Sequence, residues 1–281
     1  MVKIVADTLS CLSLEISARY HIHIVPQVIH FGDQSYLEGV DLDADSFLQK
    51  LRSSKELPKT AAPPVEQFIK IFEELVPSGE PVLCIHPSSE VSGTVRSAIT
   101  AAQDFPSADI RVVDTRLLGS PLGTLVQLAA QWSEAGDGVD SIISRINEMA
   151  SRCRIYFLVD SLEYLKRGGR IGGAQALLGS LLQIKPILTF ENGQVNQLEK
   201  ERTHRQALER LKALVKCQYP IQAGYLSIMH AGVPEQGYAL AQSLAQELGV
   251  EESIPVVNVP PAIVAHGGPG ILAAAFFIPP K

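Results

Sequence analysis

Val82-Leu83-Cys84-Ile85 leads through His86-Pro87-Ser88-Ser89-Glu90-Val91 into Ser92-Gly93-Thr94-Val95. Four apolar residues bounded by a polar stretch read as a buried strand, and the run from about Ser92 to Gln103 as a helix. A strand that hands over to a helix through one loop is the repeating unit of an open parallel sheet. The same alternation extends outward. Residues 2–5 and 110–113 read as further strands, the latter ending at Asp114-Thr115. Val65, Phe68, Ile69, Phe72, Leu75 and Val76 recur at helical spacing, and Pro63-Pro64 suits a first turn that needs no amide hydrogen. Residues 122–132 and 139–149 add two helices. This half is expected to be an α/β domain with helices on both faces of a parallel sheet.

Beyond about residue 153 the pattern changes. Residues 155–159 read as a strand, and 161–166 as a short helix stopped by Gly168-Gly169. A helix is expected over 174–182. Residues 186–190 and the run from Val195 flank Glu191-Asn192-Gly193-Gln194, a hairpin with an Asn-Gly turn. Helices at about 203–215 and 234–248 enclose a strand at 224–229. Residues 256–259, a glycine-rich turn and an apolar strand from Ile271 close the chain. The expected organisation is an N-terminal α/β domain over 1–153 and a C-terminal α+β domain over 154–281.

Composition excludes several function classes. The 281 residues carry 24 Lys+Arg against 30 Asp+Glu, a net charge of −6, so there is no electrostatic footprint for nucleic acid or an anionic membrane. The apolar run 271–278 is far shorter than the ~20 residues that span a bilayer, and residues 1–7 do not read as a signal peptide. Cys11, Cys84, Cys153 and Cys217 are widely spaced, with no zinc or redox pairing. A reduced cytoplasmic protein is expected, without a cofactor or a metal.

Five stretches carry polar chemistry. Ser88 to Thr94 offers hydroxyls at the carboxyl end of a strand and the start of a helix, a small-anion site; equally, Ser92 can be a helix cap. Thr60 precedes the proline-started helix and can bring a second hydroxyl to the same sheet edge. Lys166, Arg167 and Arg170 surround Gly168-Gly169, either an anion or acidic-partner contact or a solvated helix end. His266 and Gly267 open the run His266-Gly267-Gly268-Pro269-Gly270, where the histidine can donate to an anion or simply hold a turn. Asp7 and Asp114 end strands and are expected to cap the turns that follow. No close base–nucleophile pair is present, which weighs against a second reading: a phosphotransferase or hydrolase using Asp7, Asp114 and His266 on a phosphorylated ligand. A third is a ligand-responsive interaction or regulatory protein.

Taken in order, residues 3–8, Thr60, 89–94, 113–115, Leu162-Glu163-Tyr164-Leu165-Lys166-Arg167-Gly168-Gly169-Arg170-Ile171, 184–188 and 266–270 resemble the DegV family of fatty-acid-binding proteins over essentially the whole chain. The resemblance implies two domains with a long-chain fatty acid in a tunnel between them. It implies a carrier that is not itself an enzyme and presents the acid to an ATP-dependent fatty acid kinase for phospholipid synthesis. Thr60 and Ser92 match the family's carboxylate-binding hydroxyls, with Gly93 and Thr94 beside them. Arg170 and His266 match positions near the carboxyl end. Arg170, with Lys166 and Arg167, is expected at the rim, serving the kinase. One departure stands out: the family's usual Ser-Gln-Pro-Ser after its threonine is Ala61-Ala62-Pro63-Pro64 here.

Overall fold

In the computed structural model, residues 1–54, 56–177, 184–220 and 224–280 are described. The elements run β1 (Lys3–Asp7), α1 (Leu14–Arg19), β2 (His23–Val25), β3 (Val28–Phe31), β4 (Gln34–Leu37), α2 (Ala44–Ser53), β5 (Lys59–Ala61), α3 (Val65–Leu75), β6 (Val82–His86), α4 (Thr94–Ala102), β7 (Ile110–Asp114), α5 (Ser120–Glu134) and α6 (Val139–Ser151). They continue with β8 (Cys153–Leu158), α7 (Glu163–Arg167), β9 (Lys185–Glu191), β10 (Gln194–Glu201), α8 (His204–Gln218), β11 (Ser227–His230), α9 (Pro234–Leu248), β12 (Val256–Asn258), α10 (Pro261–Gly267) and β13 (Leu272–Phe277). Two compact units result. The first holds Met1–Asp43 and Ser54–Ser151, the second Ala44–Ser53 and Arg152–Lys281.

The first unit contains the expected parallel sheet, in the order β2-β1-β6-β7. All five residues of β6 are buried, as a strand covered on both faces must be. Phe68 and Phe72 of α3 and Ala98 and Ala101 of α4 pack with Val5, Val25 and Cys84 on one face, while α5 contacts β1. Burying one such phenylalanine contributes about 1.5–3 kcal/mol. The unit also contains an antiparallel sheet, β4-β3-β5, that the periodicity did not announce. Its strands have three or four residues, too few for alternation to register.

The second unit is built on a six-stranded mixed sheet, β10-β9-β8-β13-β11-β12, in which only β11 and β12 run parallel. The hairpin β9–β10 turns at Asn192 and Gly193, both at positive φ (53° and 80°), the backbone that an Asn-Gly two-residue turn provides. All six residues of β13 are buried, and Leu211, Leu240 and Leu244 of α8 and α9 pack with Ile228, Ala274 and Phe276.

Two sequence expectations change. The chain is not cut once near residue 153: α2 belongs to the second unit, because Phe47, Leu48 and Leu51 form its buried face and Leu48 lies against Gly232. The helix expected over 174–182 is a 3-10 segment, Gly172–Leu177, in its described part; residues 178–182 lie outside the described residues. Among the described residues no helix is long and apolar enough to cross a membrane.

Candidate functional site

The parallel sheet ends in a row of polar residues. His86 pairs with Asp114 across β6 and β7, and Asp7 closes β1 next to Val25 of β2. His86 Nδ1 donates to Asp7 Oδ2 at 2.8 Å, both side chains fully buried. A carboxylate only accepts, so Nδ1 carries the hydrogen. Asp7 Oδ1 accepts from the Leu9 amide at 2.9 Å and from Gln27 Nε2 at 3.3 Å. Three donors around one carboxylate are what makes its burial tolerable. Phe68 closes the other side of His86 with an edge-on ring contact, centroids 5.3 Å apart.

Gln27 links this base to the hydroxyls. Its Nε2 also donates to Thr94 Oγ1 at 2.9 Å, and Thr94 Oγ1 lies 2.8 Å from Ser92 Oγ. On its backbone side the Gln27 amide donates to Thr8 Oγ1 at 3.1 Å, and the Thr8 hydroxyl donates to buried Glu38. Helix α4 begins at Thr94, with Gly93 as N-cap and no side-chain cap bond. Ser92 is therefore not consumed as the helix cap; its Oγ stands 3.4 Å from the Thr94 amide, at the long end of hydrogen-bond range. Ser92 is half-buried, whereas Thr94 is fully buried. Thr94, one of the predicted ligand contacts, has its hydroxyl held between Gln27 and Ser92.

Thr60 sits in β5, opposite Ile29 of β3 and half-buried. Ala62 follows two residues on, and a Cβ added to Gly93 would meet the Ala62 Cβ at 3.4 Å. The end of β5 and the Ser92-Gly93 turn therefore converge in the first unit. The small Ala62 permits that approach, which gives the Ala61-Ala62 departure a packing consequence.

Both strand-end aspartates serve their own turns, as expected. Asp7 accepts from Leu9 at the start of the 3-10 turn Thr8–Ser10. Asp114 accepts from the Ser89 hydroxyl at 2.6 Å, the Ser89 amide at 3.3 Å and the Arg116 amide at 2.9 Å, while Arg116 reaches Glu90 at 3.3 Å. Among the described residues no group of three or more His, Cys, Asp or Glu could hold a metal ion. Burial pushes the thiols of Cys11, Cys84 and Cys153 up, and all four cysteines are free.

The basic corner belongs to the second unit. Helix α7 is stopped at Gly168, and Gly169 has φ +69°. Arg167 pairs with Glu163 at 2.6 Å, and both Lys166 and Arg167 are exposed. Arg170 is half-buried, with Nη1 donating to the Gly168 carbonyl at 2.6 Å. Gly168 lies so close to His266 that an added Cβ would overlap its Nδ1. Burial, helped by the Arg170 cation and opposed by a hydrogen bond with the Gly168 backbone, lowers the His266 pKa to about 4. The imidazole is neutral at pH 7. The glycines after it serve packing: a Cβ on Gly267 would strike Ile271, and one on Gly268 would strike the Tyr164 ring. Gly267 is buried at the end of α10.

Gln27, Glu38 and His86 went unrecognised in the sequence. The one available signal was a lone amide, Gln27, inside the apolar run from Ile24 to Ile29.

Comparison with known proteins matches residues 1–279 to the model of the DegV family. A DegV domain-containing protein of Streptomyces coelicolor is 35% identical over 272 residues, covering 96% of each chain. The crystal structure of Bacillus subtilis DegV, described as a fatty acid binding protein, superimposes with a TM-score of 0.87 at 30% identity over 99% of both chains. A stearic-acid-binding protein of Eubacterium ventriosum gives a TM-score of 0.88 at 27% identity, over 99% of this chain and 98% of the other. With a family model spanning all but the last residues, and relatives matched over nearly their full length, the chain belongs to the DegV family.

Proposed function

We propose that this chain binds a long-chain fatty acid, with the carboxylate on the hydroxyls of Thr60 and Ser92 and the acyl chain in a dry apolar tunnel. The observation that carries this reading is the half-buried Ser92 hydroxyl, left out of the helix cap and seated on a buried hydrogen-bond network at the carboxyl end of a parallel sheet. Relatives of the same fold bind fatty acids. The energetics are favourable. About fourteen methylenes at ~0.8 kcal/mol each give a gross gain of roughly 11 kcal/mol, reduced by several kcal/mol of lost freedom. The tail supplies affinity and the hydroxyls supply orientation, since an ionised carboxylate must be hydrogen-bonded when buried.

In this proposal the protein is a cytoplasmic carrier, not a catalyst. It delivers the bound acid to a separate ATP-dependent kinase, and the acyl phosphate formed there feeds phospholipid synthesis. Arg170, with Lys166 and Arg167, serves that partner. Mass spectrometry of the small molecules extracted from natively purified protein tests the reading. A fatty acid is expected; a phosphorylated metabolite instead refutes it. Losing a hydrogen bond to a charged group costs ~1.5–3 kcal/mol, so Ser92→Ala weakens palmitate binding roughly ten- to a hundredfold. For Arg170→Ala the expectation is near-normal lipid binding with a sharp fall in phosphorylation by the cognate kinase; collapse of both makes Arg170 a head-group ligand.

A further inference from the structure

The direction in which the Ser92 hydroxyl points its hydrogen is set by residues beneath it. Gln27 Nε2 faces Asp7 Oδ1 at 3.3 Å and Thr94 Oγ1 at 2.9 Å. The Asp7 carboxylate already accepts from the Leu9 amide and His86 Nδ1, and it can only accept. The amide NH2 of Gln27, not its carbonyl, therefore occupies this side. Thr94 Oγ1 then accepts from Gln27, so its single hydrogen is directed to its other neighbour, Ser92 Oγ, at 2.8 Å. The opposite direction, Ser92 donating to Thr94, would strand the Thr94 hydrogen at a fully buried position, an unfavourable state. Ser92 Oγ thus accepts from below and keeps its own hydrogen to donate outward.

We propose that Gln27, braced by Asp7 and His86, is a positioning residue that fixes the Thr94–Ser92 pair as a one-way donor relay and thereby makes the head-group site selective for an acceptor-only carboxylate over a neutral alcohol on the same chain. The proposal deepens the fatty-acid reading above and depends on it. An ionised acceptor takes the Ser92 hydrogen in a charge-assisted bond, about twice as strong as a neutral one. An alcohol loses that advantage. Without the Gln27 donor the hydroxyl pair can reverse. Ser92 then donates to Thr94 and accepts from an alcohol, so the carboxylate loses and the alcohol does not.

The test uses the delipidated full chain with palmitate and 1-hexadecanol as probes, measured by displacement of a fluorescent lipid at pH 8. Wild type is expected to prefer palmitate at least tenfold. Gln27→Met and Thr94→Val are expected to lower the palmitate-to-hexadecanol ratio about tenfold, and Thr94→Ser, which keeps the relay, to retain it. A merely structural role would weaken both ligands in parallel, and an unchanged ratio in folded Gln27→Met and Thr94→Val overturns the proposal. If Gln27→Met does not fold, the Thr94→Val and Thr94→Ser pair decides. If neither disruptive variant folds, the wild-type ratio decides, equal affinities overturning the proposal. Failure of wild type to bind palmitate overturns the fatty-acid reading itself, whereas palmitate binding with unchanged ratios removes only the relay.

Discussion

The hydroxyl site of the first unit and the basic corner of the second are held by opposite means. Ser92 stands on a buried polar network whose members come from β1, the β2–β3 connection, β6 and the start of α4, joined by hydrogen bonds between residues 67 and 79 positions apart. The corner around Arg170 is held by shape: α7 stops at Gly168, α10 comes up against it, and small residues let His266 and Tyr164 close in. A polar network fixes the direction of hydrogens but is costly to break in part. Glycine-mediated packing fixes distances and fails when volume is added. The two regions therefore differ in which substitutions they tolerate.

The largest expected effect is in the network. Asp7→Ala leaves His86 Nδ1, the Leu9 amide and Gln27 Nε2 without their shared acceptor, and each buried donor left unsatisfied costs about 1–3 kcal/mol. Chemical denaturation measures it, and a loss below ~1 kcal/mol would mean that the network is not a unit. Next is the pH dependence of the corner. With its pKa lowered from 6.5 to about 4, His266 binds its proton more readily in the unfolded chain. Its contribution is complete above pH 6.5 and is lost as the pH falls toward 4, a change on the order of 3 kcal/mol at most. His266→Gln should flatten the stability curve across that window; an unchanged slope assigns it to other groups.

A smaller effect comes from volume. Gly168 has ordinary helical dihedrals, φ −74° and ψ −8°, so Gly168→Ala is opposed chiefly by the overlap with His266, with a lesser approach to the Tyr164 carbonyl at 3.0 Å. Overpacking of this sort costs roughly 1–3 kcal/mol. Combining it with His266→Ala should recover most of the loss, and strict additivity in that double-mutant cycle would show that the two residues do not press on each other. The smallest effect is at Arg167, whose pairing with Glu163 on the same helix is exposed. Arg167→Ala should change stability by no more than about 0.5 kcal/mol, a value read from the denaturation midpoint; a larger loss would make the corner depend on charge as well as shape.

What the sequence disclosed follows the same division. The corner was legible because its parts are local: Tyr164 to Gly169 reads as a helix and its stop, and the Asn192-Gly193 turn was visible as a dipeptide. The parallel sheet was legible because β6 and β7 are followed by periodic helices. Thr60 and Ser92 were marked by position and by family resemblance. The support beneath Ser92 was hidden, since Gln27 gains its role only when the connection before β3 is folded against α4, far along the chain. The short strands β2 to β5 were hidden too, because three or four residues cannot display a period.

The excursion of α2 bears on the order in which the molecule is made. The chain leaves the first unit at Asp43, forms one helix of the second, and returns at Ser54. Leu48 on that helix rests against Gly232, about 180 residues later, which at ~5–20 residues per second of synthesis is a delay of roughly 10–40 s. During that interval Phe47, Leu48 and Leu51 have emerged from the ribosome without the surface that buries them. The first unit can thus assemble early only around a loop whose apolar helix stays unplaced. A fragment ending at Ser151 would carry that helix permanently unburied, a ready contact for chaperones or for other copies of itself.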